Sequence, residues 1–313
     1  MKGIFVINPT SGMQLHQNAA HVAAQRLLKN GTLTEARIFY TTGKSSAYNT
    51  VKSFSRGEYD FVMAVGGDGT VNEVVNGLID GGSDIPLAIL RAGTTNDFAT
   101  AMGLPVDSAG IARMISGYHT EHIDVGRVNG RYFLNVAAGG LLSEIAHSVD
   151  PDVKTALGKL AYYVQGFKEI SSLRLDTVPL RFEMEEASFE ADTFLVIVAN
   201  SCSVGGFSNI APKAKVNDGL LDVCIIKKLT PADVVPVFTQ INAGTHVNDK
   251  RCIAYFRTKK LRISSLDDSL SFAIDYDGEL GDPLPLDIEV VPSALRLIVP
   301  AKSRKAKKLL ETT

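Results

Sequence analysis

Three features predict an α/β fold for the first part of the chain and a mainly antiparallel β fold for most of the rest. Short apolar runs alternate with amphipathic stretches as far as Leu90, which is the pattern of a parallel sheet flanked by helices. A glycine turn, Gly66-Gly67-Asp68-Gly69-Thr70, interrupts the chain directly after one such run. From about residue 122 the texture changes to paired β runs, beginning with Val125–Val128 and Arg131–Val136 around Asn129-Gly130, a dipeptide suited to a two-residue turn with positive φ.

The elements follow in order. Ile4–Ile7 is a strand, His21–Leu28 part of a helix, Ala36–Tyr40 a strand, Ala47–Ser55 a helix and Phe61–Val65 a strand. After the glycine turn Val71–Ile79 has helical spacing, and Leu87–Leu90, a further strand, leads into the polar turn Gly93-Thr94-Thr95-Asn96-Asp97. In the second part Leu157, Leu160, Ala161 and Val164 recur at helical spacing within Val153–Ile170. A second helix is predicted from Pro231, where Thr230 can cap, proline suits the first turn and Asp233 sits well against the helix dipole. The remaining strand-like runs are Leu180–Met184, Phe194–Ala199, Leu221–Ile226, Leu261–Ser264, Phe272–Tyr276, Leu286–Val291 and Leu295–Val299.

Composition limits the function classes. With 313 residues, 45% hydrophobic and 21% charged, the chain suits about two domains with cores of their own and excludes disorder, collagen and small disulfide scaffolds. Its 32 Lys and Arg against 34 Asp and Glu give a net charge of -2, which argues against a nucleic-acid partner held by counterion release. Cys202, Cys224 and Cys252 are widely spaced, contain no CxxC pair and read as reduced core thiols. The apolar stretch at the N-terminus is too short for a signal peptide and no run approaches the ~18–20 residues of a membrane span, so the expectation is a cytoplasmic protein with at most transient membrane contact. The tail, Lys302 to Lys308, carries five positive charges in seven residues and reads as a solvated terminus that can also press on anionic lipid. His119 and His122 bracket Glu121 without metal-site spacing.

Two nucleotide motifs are approached and missed. Gly43-Lys44-Ser45 matches the end of a phosphate-binding P-loop, but Ile38 stands where its first glycine belongs. Gly67-x-Gly69-x-x-Asn72 follows a strand and opens a helix, but ends on Asn72 where a dinucleotide fingerprint needs glycine. Asp68 is the informative residue. Exposed N–H groups at a helix N-terminus attract phosphate, whereas a carboxylate in the same turn repels it unless a cation intervenes. A Mg²⁺ ion bridging carboxylate, water and phosphate oxygens removes the conflict, and Asp97 and Asp124, read as standing after strands, would reach the same cleft. Such a group points to metal-assisted phosphoryl transfer. Taken singly, an Asx turn accounts for Asp68 and a helix cap for Asp97 equally well.

The string Gly66-Gly67-Asp68-Gly69-Thr70-Val71-Asn72-Glu73, followed by Gly93-Thr94-Thr95-Asn96-Asp97-Phe98-Ala99, resembles the diacylglycerol kinase catalytic domain family. Asn8-Pro9-Thr10-Ser11-Gly12, Asn217-Asp218-Gly219-Leu220-Leu221-Asp222 and Asp277-Gly278-Glu279 fit the same pattern in order, so the resemblance spans nearly the whole chain and is strongest to soluble bacterial lipid kinases. NAD kinases, of the same superfamily, share the Gly-Gly-Asp-Gly-Thr element. Leu90-Arg91-Ala92 departs from the proline often found before the second turn, a difference at the cleft rim that bears on acceptor preference.

The resemblance implies a Rossmann-like α/β domain over 1–124, to which 293–313 returns, and a β-sandwich over 125–292. It implies ATP bound by Asn8, Pro9, Thr10, Ser11, Gly12, Thr41, Gly66, Gly67, Asp68, Gly69, Thr70, Val71, Asn72 and Thr94. It further implies Glu279 as general base, a water-linked network of Asp97, Asp124 and Asp218 that positions the catalytic Mg²⁺ beside Asp68, and a structural Mg²⁺ on the carbonyls of Lys215 and Leu220 and the side chain of Asp218. The implied reaction is γ-phosphate transfer from ATP to diacylglycerol, giving phosphatidic acid. Phosphatidylglycerol, a sphingoid base or NAD as acceptor, and a nucleotide-sensing module without turnover, remain as alternatives. The lipid acceptor would be met at a membrane surface. The oligomeric state stays open, a homodimer included. Leu141, Leu142, Tyr162, Tyr163 and Phe167 read as core or acceptor wall.

Overall fold

The computed structural model describes residues 1–10, 14–91, 96–140, 175–267, 269–270 and 272–301. Ser11, Gly12 and Thr94, the helix expected over Val153–Ile170, the apolar wall candidates and the basic tail lie outside the described residues.

The first part is four parallel strands, β1 (Lys2–Ile7), β2 (Glu35–Tyr40), β3 (Phe61–Gly66) and β4 (Leu87–Arg91), in the order β2-β1-β3-β4. Helices α1 (Gln14–Lys29), α2 (Ser46–Lys52), α3 (Asp68–Asp80), α4 (Asp97–Ala101) and α5 (Ser108–Gly117) complete it. All six residues of β3 are buried, as a central strand covered on both faces requires. α4 and α5 follow the β4 turn. Asn96 caps α4 through Ala99 N–H, and Asp107 caps α5 through the N–H groups of Ala109 and Gly110. Asp97 is therefore the first residue of α4 and its cap is Asn96.

The second part is antiparallel. It comprises β5 (Thr120–Val128), β6 (Arg131–Phe133), β7 (Val136–Gly140), β8 (Val178–Glu183), β9 (Ser188–Ala199), β10 (Leu221–Lys227), α6 (Pro231–Ala243), β11 (Ile253–Thr258), β12 (Lys260–Ser265), β13 (Ala273–Tyr276), β14 (Glu279–Pro283) and β15 (Leu286–Ile298). Period-two alternation on β9 and β10 separates two cores. Val196, Val198, Val223 and Ile225 face the interior between strands, whereas Ile197, Ala199, Cys224 and Ile226 pack under α6. At the predicted start of α6 Asp233 Oδ2 accepts both the N–H of Thr230 at 2.9 Å and its hydroxyl at 2.6 Å, so the acid reaches back to the cap residue while Asp233 N–H donates to the Thr230 carbonyl.

β5 and β15 form a long antiparallel ribbon that runs from the first core to the second. One end of β15 pairs with β12, and Leu297 at the other end lies parallel to Leu87 of β4. The two runs expected at Leu286–Val291 and Leu295–Val299 are thus one strand, interrupted by a bulge in which Ser293 adopts a left-handed φ of 51°. Asp124 also differs from expectation. It sits inside β5 and not after a strand, with its carboxylate accepting the N–H of Ser293 at 2.8 Å and of Gly219 at 2.7 Å. The run Arg131–Val136 is likewise broken into β6 and β7, because the N–H groups of Leu134, Asn135 and Val136 turn to the side chain of Asp277 instead of a neighbouring strand.

Candidate active site

A cleft of about 500 Å³ opens where the ends of β1, β2 and β3 meet α3 and the β13–β14 turn. Asn8, Pro9, Thr10, Thr41, Thr42, Gly43, Lys44, Gly67, Gly69, Thr70, Glu73 and Glu279 line it.

Its floor is the start of α3. Gly67 is the N-cap and carries no side-chain cap, so the first N–H groups of the helix are presented to the cleft together with the positive end of the dipole. Gly66 and Gly69 serve close approach and not handedness, since neither has positive φ, whereas a Cβ on Gly67 would meet open space. A Cβ on Gly66 would meet Thr70 Oγ1 at 2.5 Å, and one on Gly69 would meet Glu279 Oε1 at 2.8 Å. Asn8 organises one wall. Its amide donates to Thr70 Oγ1 at 3.1 Å, while its carbonyl oxygen accepts the N–H and hydroxyl of Thr10 at 3.0 and 2.8 Å. Thr41, 9% exposed, is fixed through its N–H to the carbonyl of Ile7.

The opposite wall is the loop from Thr42 to Ser45. Ser45, with φ of 62°, stands at the N-terminus of α2 in a left-handed conformation that costs a non-glycine residue about 1–2 kcal/mol. Glu73 of α3 offsets this by accepting the N–H groups of Ser45 at 2.7 Å, Ala47 at 3.0 Å and Tyr48 at 3.4 Å. A carboxylate from one helix therefore caps another and holds the loop over the cleft.

Glu279 enters from the second part of the chain. Asp277 and Gly278, with φ of 48° and 89°, form the two-residue turn between β13 and β14, and Glu279 is the next residue. Its side chain is half exposed and lies 3.6 Å from Lys44 Nζ. The turn carries two acids of opposite character. The Asp277 side chain is buried and accepts four N–H donors: Leu134 at 2.7 Å, Asn135 and Val136 at 2.9 Å, and Asn72 Nδ2 at 3.0 Å. Burial pushes its carboxyl above the usual carboxylate range, and the donors pull the other way by favouring the anion.

The structure thus brings Asn8, Pro9, Thr10, Thr41, Gly67, Gly69, Thr70 and Glu279 together in one cleft. It does not bring every expected residue to the lining. Val71 is buried in the core, and Asn72 turns away from the cleft to Asp277 and the carbonyl of Tyr132. Gly66 lies behind Thr70, and Asp68 opens α3 without lining the cavity. Asp97 Oδ2 accepts the N–H of Gly206 at 3.4 Å, and Asp124 is 2% exposed between its two backbone donors. Thr42, Gly43, Lys44 and Glu73 also line the cavity, beyond the ATP-binding set that the resemblance implies. Glu73 directly follows the glycine string, but only the fold shows that it reaches α2.

The Lys215–Leu220 loop is the other acidic locus. Asp218 bonds to the guanidinium of Arg257 through Oδ2, while Oδ1 accepts Leu220 N–H at 3.2 Å. Arg257 also reaches Asp222 at 3.3 Å, and the Tyr255 hydroxyl donates to the same carboxylate. Burial pushes Asp222 up to about 6, against the pull of Tyr255 and Arg257. Among the described residues no group of three His, Cys, Asp or Glu side chains has metal-site geometry.

The description "Diacylglycerol kinase catalytic domain" matches residues 2–128, and "YegS C-terminal NAD kinase beta sandwich-like domain" matches residues 135–299. A diacylglycerol kinase of Bacillus subtilis (strain 168) is 35% identical over 296 residues, 94% of this chain and 95% of that protein. The chain belongs to the diacylglycerol kinase family. A diacylglycerol kinase of Staphylococcus aureus (strain Newman) is 34% identical over 90% of this chain and 86% of its own length. A crystal structure described as a putative diacylglycerol kinase from Bacillus anthracis str. Sterne superposes with a TM-score of 0.76 at 27% identity, covering 96% of this chain and 97% of the other. Membership makes this chain an enzyme of the lipid kinase type that uses ATP. Among the described residues no helix is long and apolar enough to cross a membrane.

Two outcomes are expected from the buried acids. Asp277→Asn places an NH₂ group against backbone donors and leaves buried N–H groups unmet, so the urea midpoint should fall by the equivalent of about 2–4 kcal/mol, with a loss of kcat as Glu279 loses its anchor. An unchanged midpoint contradicts the anchor. For Asp222 the native carboxyl binds its proton near 6, above the ~3.9 of an unfolded aspartate. The group's stabilising contribution is complete below the unfolded value and is lost as pH rises through about 6. The urea midpoint of the wild type relative to Asp222→Asn should therefore rise as pH is lowered from 7 to 5, and a flat difference removes Asp222 as the titrating group.

Proposed function

We propose that this chain transfers the γ-phosphate of ATP to the free hydroxyl of diacylglycerol, giving phosphatidic acid and ADP. One observation carries the reading: the carboxylate of Glu279, supplied by a different part of the chain, closes over the uncapped helix start at Gly67–Thr70. A base above a phosphate cradle is what in-line transfer to a hydroxyl needs.

The N–H groups at the start of α3 bind phosphate oxygens, and Asn8, Thr10, Thr41 and Thr70 add amide and hydroxyl donors around them. Glu279 accepts the proton of the lipid hydroxyl as that oxygen forms its bond to the γ-phosphorus and the bond to the ADP oxygen breaks. Asp277 keeps Glu279 in place through the rigid turn. Ser11, Gly12 and Thr94 extend the donor set by the family pattern.

Mg²⁺ is the cation that suits this oxygen-rich site. Asp68 at the first turn of α3 fits it, because a carboxylate beside exposed N–H donors is compatible with bound phosphate once a divalent ion joins them. When bound, the ion would offset part of the charge on the phosphate oxygens. By the family pattern Asp97 and Asp124 would help to position it; their carboxylates accept the N–H groups of Gly206 and of Gly219 and Ser293. A second Mg²⁺ fits the carbonyls of Lys215 and Leu220 with Asp218, since Oδ1 of Asp218 makes one long hydrogen bond and keeps a lone pair for a hard cation, while Arg257 holds the other oxygen.

The nucleotide-binding domain comprises 1–124 with 293–313, and the domain bearing Glu279 comprises 125–292. The β15 bulge, at the border with residue 293, supports that division. The acceptor is met at the membrane surface, because diacylglycerol is insoluble in water.

Glu279→Gln should lower phosphate transfer about 10²–10⁴-fold while ATP affinity is kept or improved. Labelled ATP offered in mixed micelles with diacylglycerol, phosphatidylglycerol, a sphingoid base or NAD should label diacylglycerol preferentially. Undiminished transfer by the Gln variant removes Glu279 from the mechanism, and preferential labelling of another acceptor replaces the substrate.

A further inference from the structure

The Gly43-Lys44-Ser45 segment, an incomplete P-loop by sequence, lines the same cleft as the glycine turn. Lys44 is the one cationic side chain among the described residues that line it, beside the carboxylates of Glu73 and Glu279. Those two acids are differently placed. Glu73 is spent on the N–H groups of Ser45, Ala47 and Tyr48, so its charge serves the N-terminus of α2. Glu279 faces the cradle with Lys44 Nζ at 3.6 Å.

Backbone and side chain of Lys44 have opposite characters. The loop is fixed at one end by Thr41 N–H on the Ile7 carbonyl and at the other by Ser45 N–H on Glu73. The lysine side chain is 82% exposed, so its ammonium has room to change partners. An exposed ion pair is weak, and exchanging a carboxylate for a more highly charged phosphate is favourable. ATP also brings more negative charge than one divalent ion cancels, and no other described side chain on the lining answers it.

We propose that Lys44 is a triphosphate-binding residue. Its ammonium pairs with Glu279 in the nucleotide-free protein and passes to the terminal phosphates when ATP enters, which releases the Glu279 carboxylate for the acceptor hydroxyl. This rests on the kinase reading of the cleft. Lysine suits the role as a point charge on a flexible stem, and the function of the P-loop lysine is here supplied from a separate loop. Glu73 is the positioning residue that sets where that stem begins.

Calorimetric titration of the full-length wild type, Lys44→Met and Lys44→Arg with ATP, ADP and AMP in the presence of MgCl₂ tests the assignment. Lys44→Met should weaken ATP binding about tenfold to a hundredfold, ADP binding less and AMP binding not at all, with Lys44→Arg retaining most of the ATP affinity. Unchanged AMP affinity also reports an intact fold. Equal ATP affinity in the wild type and Lys44→Met overturns the inference and leaves the kinase reading standing, as does a uniform loss across the three nucleotides. A wild type that binds none of the three overturns both.

Discussion

Four N–H donors converge on the buried carboxylate of Asp277, and the geometry of the cleft depends on that convergence. Burying an anion is unfavourable unless its oxygens are met, and here both are. Three donors are consecutive backbone amides that leave the strand ladder to reach it, which is why β6 and β7 are separate strands. The fourth is Asn72 of α3, so a single side chain joins the phosphate-facing helix to the hairpin that carries Glu279. Asp277 itself sits in a left-handed turn that the following glycine completes. The result is a base on a short rigid turn and not on a long loop, aimed at a cradle from another part of the sheet.

A second buried acid works in the same way at the other crossing between the parts. Asp124, inside β5, accepts the N–H of Ser293 at the β15 bulge and of Gly219 in the acidic loop. Asn200 adds a bond to the Asp124 carbonyl and another to Leu134, next to the amides that Asp277 holds. Two carboxylates, each satisfied by backbone donors from distant segments, therefore fix how the glycine cradle, the acidic loop and the base turn lie with respect to one another. Both acids act by geometry and neither lines the cleft.

Much of this was legible in the sequence, and the failures have physical causes. The parallel strands and α3 were readable because buried runs such as Phe61–Gly66 and the glycine turn are local signals. The Asn129-Gly130 hairpin was readable for the same reason, through residues that tolerate positive φ. Arg131–Val136 read as one strand because nothing local reveals that Asp277, more than 140 residues away, draws off its amides. Leu286–Val291 and Leu295–Val299 read as two strands because Pro292-Ser293 signals a break, whereas Asp124 turns that break into a bulge. In the cleft, the acid next to the glycines was legible as chemistry, while Glu73 as a cap for α2 and Asn72 as a partner of Asp277 depend on contacts that only the folded chain makes.

The central claim is that Glu279 and the start of α3 form two sides of one triphosphate site. A crystal structure of the full chain with Mg²⁺ and a non-hydrolysable ATP analogue tests it most directly. The account predicts the terminal phosphate seated on the N–H groups of Gly67–Thr70 beneath the Glu279 carboxylate, with the Asp277 turn unmoved. A nucleotide bound elsewhere, or a terminal phosphate directed away from Glu279 while the cradle stays empty, contradicts it.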